Sequence, residues 1–204
     1  MSGRTIDAGT AGVADGGPAP AAAALVLADG SVFEGEHIGA VPQTPASGEV
    51  VFNTALTGYQ EILTDPSYAG QIITFTYPHI GNYGATPGDS ESRTTFARGV
   101  IVRDLARRHS NWRAEESLQG FLLATGMAGI AGLDTRRLTR IIRDHGAMPG
   151  AFGPVEGPGG FDLATITAAA AAESGTDGID LVAEVTTEVP YRVAHVVPGP
   201  GPSP

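Results

Sequence analysis

Residues 48–76 read GEVVFNTALTGYQEILTDPSYAGQIITFT, and a strand-like segment stands at each end of this stretch. Residues 49–54 and residues 71–76 are rich in β-branched and aromatic side chains, which favour strands. Pro78 ends the second segment, because proline cannot donate a hydrogen bond to a strand ladder. We therefore predict two strands of a central sheet here.

Shorter segments on both sides predict further strands. Residues 25–27 and 32–38 flank Asp29-Gly30, and an Asp-Gly pair between two such segments is typical of a hairpin, since glycine accepts a positive φ. Residues 98–103 have a continuous apolar centre, as expected for a strand covered on both faces. Residues 128–132 are a candidate for a sixth strand.

The first of three predicted helices lies in the middle of the chain. Asn111 is its predicted N-cap, since asparagine accepts a hydrogen bond from the free N–H groups of a first turn. Glu115 and Glu116 would then stand near the positive end of the helix dipole. The apolar face of this helix consists of Leu118, Phe121 and Leu122.

Two more helices follow it. Asp134 is the predicted N-cap of the second helix and Gly146 its C-terminal stop. The third helix runs from Asp162 through an alanine-rich tract to Gly175. The apolar residues of these two helices are Leu138, Ile141 and Ile142 in the second, and Leu163 and Ile166 in the third. Residues 146–160 contain six glycines and three prolines and are predicted to form a loop.

The two ends of the chain differ in composition from its centre. Residues 1–23 are poor in aromatic and branched side chains and are predicted to be a disordered leader. Residues 194–204 are a Pro/Gly-rich tail without an apolar pattern. Residues 24–193 form one predicted domain. Strands come early and helices late in it, which predicts a mixed α/β fold with helices covering a mixed sheet.

The composition excludes several functions. The chain has 22 acidic against 12 basic residues, all of them arginine, and its net charge of −10 disfavours nucleic acid as a partner. It has no cysteine, so a disulfide, a thiolate metal site and a cysteine nucleophile are excluded within these residues. No stretch is long and apolar enough to predict a signal peptide or a membrane partner, and we expect a cytoplasmic location.

The histidines do not predict a metal site. They are scattered and show no ligand spacing, so each is predicted to be exposed or hydrogen-bonded. They are His37, His79, His109, His145 and His195. No metal and no cofactor is predicted for this chain.

Three motifs carry a resemblance to a known family. They are GEVVFNT with TGYQEILTDPSY in residues 48–68, TYPHIGNYG in residues 76–84, and DTRRLTR in residues 134–140. Shorter matches at 103–104, 110–112 and 184–187 extend the resemblance from about Leu25 to Tyr191. In order and spacing, the motifs together resemble the N-terminal domain of the carbamoyl-phosphate synthase small-chain family.

The resemblance implies a fold and an activity. The fold is a three-layer swivelling β/β/α domain, with two packed sheets and helices on one side. In the family, a class I glutamine amidotransferase domain follows and releases ammonia from glutamine with a cysteine, a histidine and a glutamate. A large subunit, which holds ATP and Mg²⁺, then makes carbamoyl phosphate from ammonia, bicarbonate and two ATP, for arginine and pyrimidine synthesis. We expect the present chain to stop before the amidotransferase domain and to contain no catalytic residue.

The resemblance also implies a role for Ser67. In the family, the serine of TDPSY reaches across to the amidotransferase domain and contacts bound glutamine, and a hydroxyl can both donate and accept hydrogen bonds there. The alternative is that Ser67 only caps the short turn after Pro66.

A basic face is the candidate subunit interface. Arg136 and Arg140 lie with two other arginines on the polar side of the second predicted helix, and Arg107-Arg108 form a smaller cluster. The resemblance implies contact of Arg136 and Arg140 with the large subunit, where the planar guanidinium suits carboxylates. The alternative is a solvated face balanced by nearby acids.

The leading functional hypothesis is therefore a scaffold and docking domain that binds the large subunit and completes the glutamine site. The alternatives are a free-standing binding module and an inactive fragment that is no longer part of the synthase.

Overall fold

The computed structural model describes residues 21–190 and residue 192. In chain order the strands are β1 (Ala22–Leu27), β2 (Val32–Gly39), β3 (Ala46–Asn53), β4 (Gln71–Phe75), β5 (His79–Ile80), β6 (Gly99–Ile101), β7 (Asp104–Leu105), β8 (Ala128–Ala131) and β9 (Met148–Pro154). The α-helices are α1 (Tyr59–Thr64), α2 (Leu118–Thr125), α3 (Thr135–His145), α4 (Leu163–Ala172) and α5 (Leu181–Val185). β1 begins two residues before the predicted start of order. Most of the predicted leader and the whole predicted tail lie outside the described residues.

Seven of the described strands close into a barrel in the order β1-β2-β8-β6-β4-β3-β9, and β5 and β7 form a separate parallel pair. The neighbours β3, β4, β6 and β8 are parallel, whereas β1, β2 and β9 run antiparallel to their neighbours. The mixed α/β class is thus confirmed. The three-layer arrangement with two packed sheets is not confirmed, because the strands hydrogen-bond around a closed circuit.

The four parallel strands give the barrel two distinct edges. Their first residues, at Ala46, Gln71, Gly99 and Ala128, define what we call the N-terminal edge. Their last residues, at Asn53, Phe75, Ile101 and Ala131, define the C-terminal edge. Every segment that follows one of these strands therefore leaves from the same end of the barrel.

The helices pack at three places around the barrel. α3 closes its C-terminal edge, where Leu138 and Ile142 join the interior cluster that contains Phe152. α1 and α2 join an outer cluster with Ile73 and Phe75 of β4 and Val100 of β6, and α2 lies against β2 and β8. α4 covers the outer face of β1 and β9, with Ile166 and Ala170 buried there. The expectation of helices on one side is therefore not confirmed.

The α3 and α4 predictions are confirmed. Asp134 caps α3 by accepting a hydrogen bond from the Arg137 N–H at 2.9 Å, and Gly146 follows its last residue. Asp162 caps α4 by accepting a hydrogen bond from the Thr165 N–H at 2.7 Å, and hydrogen bonding to the Thr165 side chain and backbone lowers the pKa of its carboxyl. α4 ends at Ala172 rather than at the predicted Gly175.

The first predicted helix begins later than expected. α2 starts after Ser117, whose hydroxyl caps it, so the prediction of Asn111 as the cap is wrong. The residue before Ser117, Glu116, forms an antiparallel bridge with Ala85, and this extended pairing keeps residues 115 and 116 out of the helix. The predicted apolar face of α2 is buried.

The predicted loop over residues 146–160 is also wrong, since β9 occupies its first half. The glycines there serve close packing. A Cβ on Gly150 would lie 2.7 Å from Val50 Cγ2, and one on Gly153 would lie 2.7 Å from Phe161 Cδ2. Glycine is needed where other atoms approach the backbone so closely.

His37 contradicts the expectation that every histidine is exposed or hydrogen-bonded. It is buried in β2 opposite Ile130, and neither ring nitrogen has a partner in hydrogen-bond geometry among the described residues. Burial lowers its pKa from the ordinary value of 6.5, and the neighbouring backbone of Gly39 and Ala40 offsets this only in part.

We expect this histidine to make the fold sensitive to acid. In the window from the lowered pKa up to 6.5, the unfolded chain binds one proton more at this position than the folded chain does. The stability due to neutral His37 is complete above pH 6.5 and is lost as the pH falls through that window. Urea denaturation above and below pH 6.5 should therefore show a smaller loss of unfolding free energy in His37→Leu than in the native chain. An equal loss in both would contradict the assignment.

Candidate functional site

Ser67 lies at the N-terminal edge, directly before β4. It belongs to a single 3-10 turn over Pro66–Tyr68, and its side chain is exposed. The cap of this turn is the Asp65 carboxylate, which accepts a hydrogen bond from the Ser67 N–H at 2.8 Å. The capping function that could have explained a serine here is thus performed by its neighbour.

A pair of tyrosines fixes the start of α1, a helix that sequence analysis did not predict. The rings of Tyr59 and Tyr83 stack with centroids 4.2 Å apart. The Tyr83 hydroxyl accepts hydrogen bonds from the N–H groups of Gly58 at 2.5 Å and Tyr59 at 3.2 Å, and the Tyr59 hydroxyl donates to the Gly84 carbonyl at 2.6 Å. Burial raises the pKa of both phenols further above neutral pH.

Polar side chains fix the rest of α1. The Gln60 amide donates to the Thr86 carbonyl at 2.7 Å and accepts from the Thr86 N–H at 2.9 Å. The Thr64 hydroxyl accepts from the Glu91 N–H at 2.9 Å, and the Ser92 hydroxyl donates to the Thr64 carbonyl at 2.7 Å. The turn that presents Ser67 therefore follows a helix held along its whole length by residues 83–92.

One surface cavity lies beside this turn, and a second lies along the same edge of the barrel. The first, of about 1030 Å³, is lined by Pro66, residues 91–94, Phe96 and residues 184–190. The other, of about 540 Å³, lies along the N-terminal edge, and Glu184 lines both. The second cavity contains the Arg98–Glu184 ion pair at 3.4 Å. This edge can thus offer a hydroxyl and charged groups of both signs to a polar partner.

The arginines of α3 lie at the opposite edge. Arg136 and Arg140 are exposed, and no carboxylate among the described residues lies within ion-pair distance of either. Their neighbours are engaged: Arg137 lies 4.5 Å above the Phe33 ring, and Arg143 pairs with Asp144. Asp134 and Asp144 line the same shallow surface pocket as Arg136 and Arg140 without pairing with them. The structure does not bring these arginines near Ser67.

Residues 21–190 and 192 hold neither a metal-binding cluster nor a membrane-spanning helix. No group of three or more His, Cys, Asp or Glu side chains is gathered there as a metal site would require. No helix in the same range is long and apolar enough to cross a membrane.

The comparisons with known proteins agree with the motifs. The family described as carbamoyl-phosphate synthase small chain, CPSase domain, matches residues 25–152. The chain belongs to this family. Curated carbamoyl phosphate synthase small chains from Polynucleobacter asymbioticus, Pseudomonas syringae pv. tomato and Pseudomonas aeruginosa are 53%, 54% and 54% identical to it over 174, 177 and 170 residues.

These relatives are longer than the present chain. The matches cover 83%, 86% and 83% of this chain but 43%, 45% and 44% of the three relatives, so the chain spans less than half of their length. Among solved structures, an aminopeptidase from Aneurinibacillus sp. strain AM-1 matches 67% of this chain and 31% of its own, with 18% identity and a TM-score of 0.40. That similarity is too weak to bear on fold or function.

Proposed function

We propose that this chain is the N-terminal scaffold and docking part of the small subunit of a glutamine-dependent carbamoyl-phosphate synthase. It holds a glutamine amidotransferase domain in register, contributes Ser67 to the glutamine site and binds the large subunit, partly through Arg136 and Arg140. The large subunit supplies the ATP and Mg²⁺ sites. The observation that carries this proposal is the family match over residues 25–152.

The surroundings of Ser67 support its part in the proposal. Its hydroxyl is exposed on a turn that α1 holds in place, and Asp65 has taken over the capping function. A hydroxyl in such a position can bond the charged head group of an amino acid at little cost in conformational entropy. Release of ammonia needs a thiolate, and these 204 residues contain no cysteine, so we expect no glutaminase activity from the chain alone.

A hybrid enzyme tests this proposal. Residues 22–190 would replace the corresponding part of the Pseudomonas aeruginosa small chain, and the hybrid would be combined with the large subunit of that organism. We expect glutamine-dependent synthesis of carbamoyl phosphate. Ser67→Ala should raise the KM for glutamine roughly tenfold or more, because a hydrogen bond to a charged group contributes about 1.5–3 kcal/mol.

Two controls make the result specific. Synthesis from ammonia should be unchanged in Ser67→Ala, since it bypasses the glutamine site. Ser31→Ala, in the β1–β2 turn, should leave both reactions unchanged. A hybrid that assembles and uses ammonia but not glutamine would refute the completion of the glutamine site, whereas one that never assembles would favour a free-standing module or an inactive fragment.

A further inference from the structure

Trp112 is the only tryptophan in the chain, and its side chain is 92% exposed. The loop that carries it is nevertheless fixed. The Ala106 N–H donates to the Ile80 carbonyl at 2.8 Å, and the Ser110 N–H donates to the Asn82 carbonyl at 2.9 Å. On the other side of Trp112, Arg113 forms an ion pair with Asp89 at 2.5 Å.

A single exposed apolar side chain is ordinary in a soluble protein. Here, however, the loop is bonded to other segments on both sides of Trp112, by backbone hydrogen bonds before it and by the Arg113 ion pair and the Glu115 N–H to Ala85 carbonyl bond after it. The indole is therefore held outward rather than left on a free segment. Holding a side chain in its bound position before association reduces the entropy cost of binding. Tryptophan and arginine are the residue types most enriched among those that dominate protein interfaces.

The charges around Trp112 indicate the chemistry of a partner. Arg107 and Arg108 in the same loop are exposed, and neither has an ion pair among the described residues. The chain as a whole has a net charge of −10, which disfavours a second copy of itself as the partner. The exposed arginines form a local basic patch on an otherwise acidic protein. Such a patch is complementary in charge to a different protein whose binding surface carries carboxylates.

The position in the barrel separates this surface from Ser67. The Trp112 loop follows β6 and β7, Leu56 with 66% exposure follows β3, and Arg136 and Arg140 follow β8. All of them thus leave from the C-terminal edge, whereas Ser67 precedes β4 at the N-terminal edge. A domain seated over Ser67 would leave the C-terminal edge to another partner.

We infer that the C-terminal edge is the surface that docks the large subunit, with Trp112 as its anchor. The indole inserts into an apolar pocket of that subunit, and carboxylates around the pocket meet Arg107, Arg108, Arg136 and Arg140. This inference rests on the proposed function, because it assigns a place to the large-subunit contact.

The test uses the whole chain labelled with 5-fluorotryptophan, which gives one fluorine resonance because there is one tryptophan. Addition of the unlabelled large subunit from the same organism should shift this resonance and remove its sensitivity to replacement of H₂O by D₂O. In a parallel calorimetric titration, Trp112→Ala should weaken binding about 30-fold or more, as expected for a dominant interface residue.

Leu163→Ala is the matched control, since Leu163 is exposed on α4 at another face of the barrel. It should leave the affinity within about twofold of the native value, as expected for a residue outside the interface. The native chain could bind the large subunit without a shift of the fluorine resonance, and Trp112→Ala could bind equally well. That result would overturn the inference and leave the proposed function standing. Failure of the folded native chain to bind would overturn both. The fluorine resonance could also shift when the concentration of the labelled chain is raised without the large subunit. That would show that Trp112 contacts a second copy of the chain, and it would overturn the inference.

Discussion

Replacement of Phe152 by alanine is expected to lower the free energy of unfolding by about 3–5 kcal/mol, the range for loss of a fully buried aromatic ring. Phe152 is 0% exposed and lies in β9, where it pairs with Leu25 of β1 and Ala46 of β3. Its ring occupies the barrel interior against Gly99, since a Cβ on Gly99 would lie 2.6 Å from two ring carbons. The variant removes the side chain around which the interior is packed.

Urea denaturation followed by circular dichroism measures this loss. Trp112→Ala is the control, because it also removes an aromatic ring but from a side chain that is 92% exposed. We expect the control to change the unfolding free energy by less than about 0.5 kcal/mol. Equal losses in the two variants would show that the barrel interior does not depend on Phe152.

Gly84→Ala is expected to destabilise the chain by about 2–5 kcal/mol, from left-handed backbone strain and overpacking together. Gly84 has a φ of +74°, and a Cβ there would lie 2.7 Å from both Ala114 Cβ and the Glu116 carbonyl oxygen. The same glycine accepts the hydrogen bond of the Tyr59 hydroxyl. Any shift of this loop therefore also loosens the start of α1, on which the position of Ser67 depends.

Gly126→Ala separates the two causes. Its φ of +72° imposes nearly the same backbone strain, but nothing lies within 4 Å of the added Cβ. We expect a loss of only about 1–2 kcal/mol from this variant. Chemical denaturation of both variants gives the difference, and amide hydrogen exchange at Gly58 and Tyr59 should accelerate in Gly84→Ala alone. If Gly84→Ala and Gly126→Ala lost the same unfolding free energy, residues 114–116 would have to move aside from the added Cβ at no cost in stability.

The geometry gives the two motif-bearing regions separate tasks. The TGYQEIL and GNYG motifs serve mainly to hold one another, through the stacked tyrosines and the Gln60 contacts with Thr86. What they position is the exposed turn at Ser67. The DTRRLTR motif instead supplies the cap of α3, the buried Leu138 and three exposed arginines at the other end of the barrel.

The candidate site was only partly predictable. The resemblance carried by the TDPSY and DTRRLTR motifs singled out Ser67, Arg136 and Arg140 as candidates, because both motifs are local. The tyrosine pair was missed, since Tyr59 and Tyr83 are far apart in the sequence and each alone fits an ordinary core residue. The signal that could have predicted this pair is the presence of one tyrosine in each of the TGYQEIL and GNYG motifs. The exposure of Trp112 was also hidden, because a tryptophan in a sequence more often indicates burial.

The sequence by itself determined the features that neighbouring residues decide. These are the Asp29-Gly30 hairpin, the apolar centres of β3, β4 and β6, the caps of α3 and α4, and the family motifs. Only the tertiary structure decided that β9 is a strand, that the strands close into a barrel, that Ser117 rather than Asn111 caps α2, and that Ser67 and Trp112 lie at opposite edges. The physical reason is distance along the chain. β9 is held by strands about 100 or more residues away, and such contacts override the local preference of a glycine- and proline-rich segment for a loop.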